Sequence, residues 1–198
     1  MKSNVCRINK GTKDLVAILR ESEKVAVYNE LSHKQTLQLR LICEEIDGML
    51  PKIIDDFEGD FWIEFEEGVC KVIASIKFAE FSVGKKEELI SIAKNNKNAA
   101  AVGIAGKIRS FVEDMLLDDV NIPTHSIYAE SMCIATSFGE DMNYPYVWTL
   151  ENYRNNAKKE QEDSWDELEK SVIASVADDI VVGVKGKKAD IIITKKFA

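Results

Sequence analysis

Two adjacent carboxylates, Glu44 and Glu45, sit in an otherwise apolar and basic stretch, Leu39-Arg40-Leu41-Ile42-Cys43-Glu44-Glu45-Ile46. Neighbouring residues on a helix point about 100° apart. The two glutamates therefore cannot share a proton as a close catalytic pair. They read as a solvated or capping face, or as a face from which Glu45 lines a ligand or partner cleft. The remaining chemistry-bearing residues are sparse. With only two histidines, His33 and His125, there is no histidine-rich metal site, and no Ser/His/Asp set can be assembled around them. Cys6, Cys43, Cys70 and Cys133 are far apart with no Cys-x-x-Cys spacing, which reads as reduced, mostly buried thiols. No metal ligand set is predicted.

Gly103 and Gly106-Lys107 raise the question of a phosphate loop. That loop requires Gly, four residues, then Gly-Lys-Ser/Thr. Here Ala101 occupies the first glycine place and Ile108 follows the lysine, so the motif fails. Small residues that let a helix pack closely are the better account, with anion binding at the helix start near Asn98 as the alternative. Phe138, Tyr144, Tyr146, Trp148, Tyr153 and Trp165 concentrate aromatic side chains in one region. They read either as core packing or as a partner or ligand surface, for which Tyr146, Trp148, Tyr153 and Trp165 are the candidates. Lys185 to Lys188 and Lys195-Lys196 read as a solvated turn and strand end.

Composition bounds these readings. The 198 residues are 45% hydrophobic and 30% charged, enough for one domain with a full core. The net charge of −8 disfavours nucleic acid and anionic membranes as partners. Met1 to Lys10 has no apolar leader core, and no run of about 18 apolar residues follows. A cytoplasmic protein that neither spans nor binds a membrane is expected.

The elements that must position these residues are legible in places. Ser32 and Gln35 form a capping-box signature, and Leu39, Ile42, Cys43, Ile46, Leu50 and Ile53 recur at three- and four-residue spacing. This predicts a helix over Ser32 to Ile54, kinked or ended near Leu50 by Pro51. Asn4 to Lys10 is a short first strand and Lys13 to Leu31 a helix. Phe61 to Phe65, a Glu66-Glu67-Gly68 turn and Val69 to Phe78 make a hairpin. Helices are predicted over Lys85 to Ala93, Ala99 to Leu117, Val147 to Lys159 and Ser164 to Asp178. Weak strand signals lie at Ser126 to Tyr128 and Met132 to Ile134. Ile180 to Val184, a turn over Lys185 to Lys188, and Ala189 to Lys196 close the chain as a second hairpin. Paired strands with helices gathered between them predict an α/β (α+β) two-layer sandwich, its mixed, mostly antiparallel sheet covered on one face by helices.

Two segments resemble the histidine-kinase-like ATPase domains (the GHKL superfamily) of anti-sigma factors, bacterial-type serine protein kinases. Ser32 to Phe78 is similar to the helix carrying that family's N-box and the central hairpin after it. Glu167 to Phe197, with Ala177-Asp178-Asp179 entering the closing hairpin, looks like the family's last helix and final strands. The resemblance implies a single ATPase-like domain over residues 1–198, with 85–163 as an enlarged helical lid insertion. It places Glu45 at the catalytic glutamate. The magnesium-binding asparagine four residues on is replaced by Met49, a thioether ill suited to a hard cation. The family's Asp-x-Gly-x-Gly is replaced by Ile76 to Ser82, and its last glycine-rich loop by Asp163-Ser164-Trp165-Asp166-Glu167. The implied cleft is lined by Glu44, Glu45, Met49, Lys52, Lys77 and Phe78. The expected function is a non-catalytic regulatory or protein-interaction protein with a degenerate ATP site and no cofactor. Its partner would be sigma-factor-like or another regulator, and the resemblance allows a homodimer. The alternatives are a divergent ATP- and Mg²⁺-dependent serine protein kinase with Glu45 as base, and a small-molecule sensor.

Overall fold

A computed structural model describes residues 1–10, 15–54, 56–78, 103–117, 132–134, 144, 146–160 and 171–197. In chain order the elements are β1 (Cys6–Asn9), α1 (Leu15–Tyr28), α2 (His33–Ile53), β2 (Phe57–Glu66), β3 (Val69–Phe78) and α3 (Gly103–Leu117). They continue with β4 (Met132–Ile134), β5 (Tyr146–Thr149), α4 (Leu150–Glu160), α5 (Val172–Val176), β6 (Asp179–Lys185) and β7 (Lys188–Lys196). The predicted helix over Lys85 to Ala93 and the strand signal at Ser126 to Tyr128 lie outside the described residues, as does most of the predicted lid.

The seven strands form one sheet in the order β1-β2-β3-β7-β6-β5-β4. Every described pairing is antiparallel, so the sheet is not mixed. Both predicted hairpins are present, and their turns explain their registers. Glu67 and Gly68 both have positive φ (49° and 78°), the conformation a tight two-residue turn needs between twisted strands. That turn sets Glu66 opposite Val69 and, counting back, Phe57 opposite Phe78. Gly186 (φ 58°) opens the second turn and sets Lys185 opposite Lys188.

Strand alternation separates two faces. Phe61 and Ile63 of β2, Val72, Ala74 and Ile76 of β3, Ile191 and Ile193 of β7, and Ile180, Val182 and Val184 of β6 form the buried face. Helix α2 lies over it and touches α1, α3, α5 and β3. All six apolar residues of its predicted stripe are buried, joined by Met49. The capping box is formed: Ser32 accepts from the Gln35 backbone N–H, and the Gln35 side chain accepts from the Ser32 backbone N–H at 2.8 Å. Pro51 does not stop the helix at once. The helix ends at Ile53, where the Ile54 N–H donates to the Leu50 carbonyl.

Val147 to Thr149 differ from expectation. They form a strand, and the helix starts only at Leu150. Valine, tryptophan and threonine favour extended backbone, and β6 supplies a neighbour for them. Thr149 then caps the helix, its Oγ1 accepting from the Asn152 N–H at 3.1 Å. Arg154 on α4 donates to the carbonyls of Ala174, Ala177 and Asp178, covering the carbonyl end of α5.

The opposite face is largely polar, crossed by one apolar row: Trp62, Ile73, Ile192 and Val181 lie side by side on four strands. Beside it the Tyr144 ring lies against Gly183, where a Cβ would sit 2.5 Å from the ring. The Tyr144 hydroxyl donates to Asp190.

The first strand is tied to α1 through Glu21. Its carboxylate accepts from the Asn4 backbone N–H (3.1 Å), the Asn4 side chain (3.2 Å) and Lys24 (2.6 Å). Burial pushes this carboxyl up, but the hydrogen bonds from Lys24 and Asn4 outweigh it and hold it below the usual range. A lowered carboxyl stabilises the fold above the unfolded-state value near 4.3, and that contribution disappears as pH falls through the folded value. Glu21→Gln is expected to cost about 2 kcal/mol at pH 7. The gap between thermal melts of the two proteins should narrow steadily as pH falls below the unfolded-state value and through the lowered folded value; a gap that does not narrow on acidification would show the charge is not responsible.

Candidate functional site

The structure separates the residues of the predicted cleft into two groups. Glu44 is committed along the surface of α2, where Arg40 bridges it (3.0 Å) and Glu23 of α1 (3.5 Å). Glu45 is half-buried and has no hydrogen bond or ion pair among the described residues. Met49 is only 5% exposed and packs in the core beside Ile46 and Leu50. Lys52 is exposed, and its backbone carbonyl accepts from Arg109 at 3.4 Å.

Lys77 and Phe78 belong to a different place, an open hollow of about 530 Å³ at one end of the sheet. Three strands end together there. Asn9 of β1, Glu58 of β2 and Lys77 of β3 are lateral partners, and Phe57 is opposite Phe78. Lys10 and Asp56 complete the lining. Glu44, Glu45, Met49 and Lys52 do not line it. Asn9, Lys10, Asp56 and Glu58 escaped the sequence reading, although a signal existed. Once the two-residue turn at Glu67-Gly68 is fixed, antiparallel counting places Glu58 beside Lys77.

The next strands extend this row. Lys188 of β7 lies beside Lys77, and Lys185 of β6 lies beside Lys188. All three lysines are exposed on one face of the sheet. Lys188 pairs with Asp190 at 3.1 Å, whereas Lys77 and Lys185 make no ion pair among the described residues. Like charges directly opposite across strands are unfavourable, on the order of 0.5 kcal/mol per pair. Asp190 offsets Lys188 and Glu58 flanks Lys77, which leaves the row with a net positive charge in a chain of net charge −8.

The aromatic candidates are placed by burial. Trp148 is fully buried and Tyr153 nearly so, their ring centroids 6.0 Å apart, so both are core residues. Tyr146 lies in β5, and Trp165 is outside the described residues, as is His125. His33 opens α2. Gly106 is buried within α3, in keeping with close helix packing.

Cys6, Cys43 and Cys70 lie buried in the core and are not disulfide-bonded. Burial pushes Cys43 well above its ordinary value and Cys70 up to about 12, so both are protonated at neutral pH and poor nucleophiles. Among the described residues no group of His, Cys, Asp and Glu is arranged to hold a metal ion, and no helix is long and apolar enough to cross a membrane. What the fold and site define is an α/β protein with an antiparallel sheet partly covered by helices, and a charged, open hollow at the sheet end. Comparison with protein-family models, with curated proteins and with solved structures finds no match.

Proposed function

We propose that this is a non-catalytic regulatory protein acting through protein contacts, on a scaffold of the anti-sigma-factor ATPase type. The observation that carries the reading is Met49. At the position where an ATPase of that type presents a magnesium ligand, a thioether is turned into the core and takes part in packing. The division of the predicted cleft supports the same reading, because Lys77 and Phe78 face a hollow that Glu44 and Glu45 do not line. The partner would be a sigma-factor-like protein or another regulator. Calorimetric titration with ATP and Mg²⁺ is expected to give no heat of binding, and micromolar affinity would overturn the proposal.

A second reading, a divergent serine protein kinase, draws on the unpaired, half-buried Glu45. It requires ATP-dependent phosphorylation of a partner, lost in Glu45→Gln.

A further inference from the structure

We infer that the lysine row Lys77-Lys188-Lys185 is a docking surface for an acidic, extended segment of a protein partner. The inference rests on the protein-contact reading above and names the chemistry of the contact.

Strand order alone brings these lysines together. Lys77 ends the central hairpin, while Lys185 and Lys188 flank the turn of the closing hairpin, more than a hundred positions later. The β3–β7 pairing sets Lys77 opposite Lys188, and the β7–β6 pairing sets Lys188 opposite Lys185. At about 4.8 Å per strand step the row of exposed lysines spans about 10 Å at one end of the sheet. Asp190 offsets part of the repulsion between these lysines through Lys188, and an anion laid across the row would relieve the rest.

The shape of the surface favours an extended segment over a compact ion. The lysines stand in a line across three strands. Only Lys77 reaches the hollow, and there the row meets carboxylates: Glu58 is the lateral partner of Lys77, and Asp56 lies beyond it. An acidic segment would therefore be attracted along the lysines and repelled at the hollow, which fixes where it stops. The net charge of −8 works against long polyanions such as nucleic acid. A short peptide with a few carboxylates meets mainly the local field, because salt screens charges beyond about 8 Å.

The test uses the full chain and a fluorescein-labelled glutamate-rich peptide, with the matching glutamine-rich peptide and inorganic tripolyphosphate as comparators. The variant replaces the two lysines that make no ion pair among the described residues, Lys77→Gln and Lys185→Gln, and leaves Lys188 to hold Asp190. By anisotropy the native protein should bind the glutamate peptide and not the glutamine one, more weakly as salt rises. The variant should lose about fivefold in affinity while melting at or above the native temperature, so the loss cannot come from unfolding. Equal affinity in the variant, equal binding of the glutamine peptide, tighter binding of tripolyphosphate than of the peptide, or a lower melting temperature in the variant would each overturn the proposal. Failure of peptide binding in a protein that also ignores ATP and Mg²⁺ overturns the docking surface and leaves the non-catalytic reading standing. Binding of ATP and Mg²⁺ overturns that reading, and the peptide titration then decides the surface by itself.

Discussion

Trp148→Ala is expected to destabilise the protein by about 4 kcal/mol, the range for truncating a fully buried tryptophan. For a chain of this length that corresponds to a fall of about 12 °C in melting temperature. Trp148 has no solvent exposure; it lies beside Val182 on the covered face of the sheet and packs against Tyr153. Truncation leaves a cavity under α4 that a rigid sheet cannot close. Its indole Nε1 is buried without a hydrogen-bond partner among the described residues. Trp148→Phe removes that unsatisfied donor along with some packing, so the two changes oppose each other and the expected cost is below about 1.5 kcal/mol. Urea unfolding of the two variants measures both. If Trp148 were a surface anchor for a partner, alanine would leave stability unchanged.

Gly59→Ala should cost about 3 kcal/mol, at the upper end for overpacking. Gly59 lies in β2 between Ile8 of β1 and Ile76 of β3. An alanine Cβ would stand 2.3 Å from the Ser75 carbonyl oxygen and 2.9 Å from the Ile76 Cα. Both are backbone atoms of the adjacent strand and cannot rotate aside, so the strands must separate at the end that shapes the hollow. Gly48→Ala is the control. Gly48 is exposed in α2 with nothing within 4 Å of the place an alanine methyl would take, and alanine there should stabilise by about 1 kcal/mol. The same exchange thus has opposite signs at two sites, and equal melting temperatures for the two variants would contradict the packing argument.

Local rules wrote a good part of this fold into the sequence. The capping box at Ser32 and Gln35, the stripe from Leu39 to Ile53 and the two hairpins all depend on residues a few positions apart, and all are present. Each hairpin register follows from a two-residue turn, so even the Phe57–Phe78 pairing at the hollow could be counted out from Glu67 and Gly68.

Long-range pairing decided the rest. Val147 to Thr149 carry a pattern that fits a helix or a strand, and the adjacent edge of β6 made them a strand. The placement of β7 beside β3 set Lys188 against Lys77, a juxtaposition no local pattern announces. It was also tertiary packing that turned Met49 into the core and kept Glu45 out of the hollow that Lys77 lines. A turn or a helical stripe is settled by neighbours in the chain, whereas a site is settled by which distant elements bury their apolar faces against one another. The sequence by itself therefore determined the pieces, and only the folded sheet and its helices determined which charged residues meet.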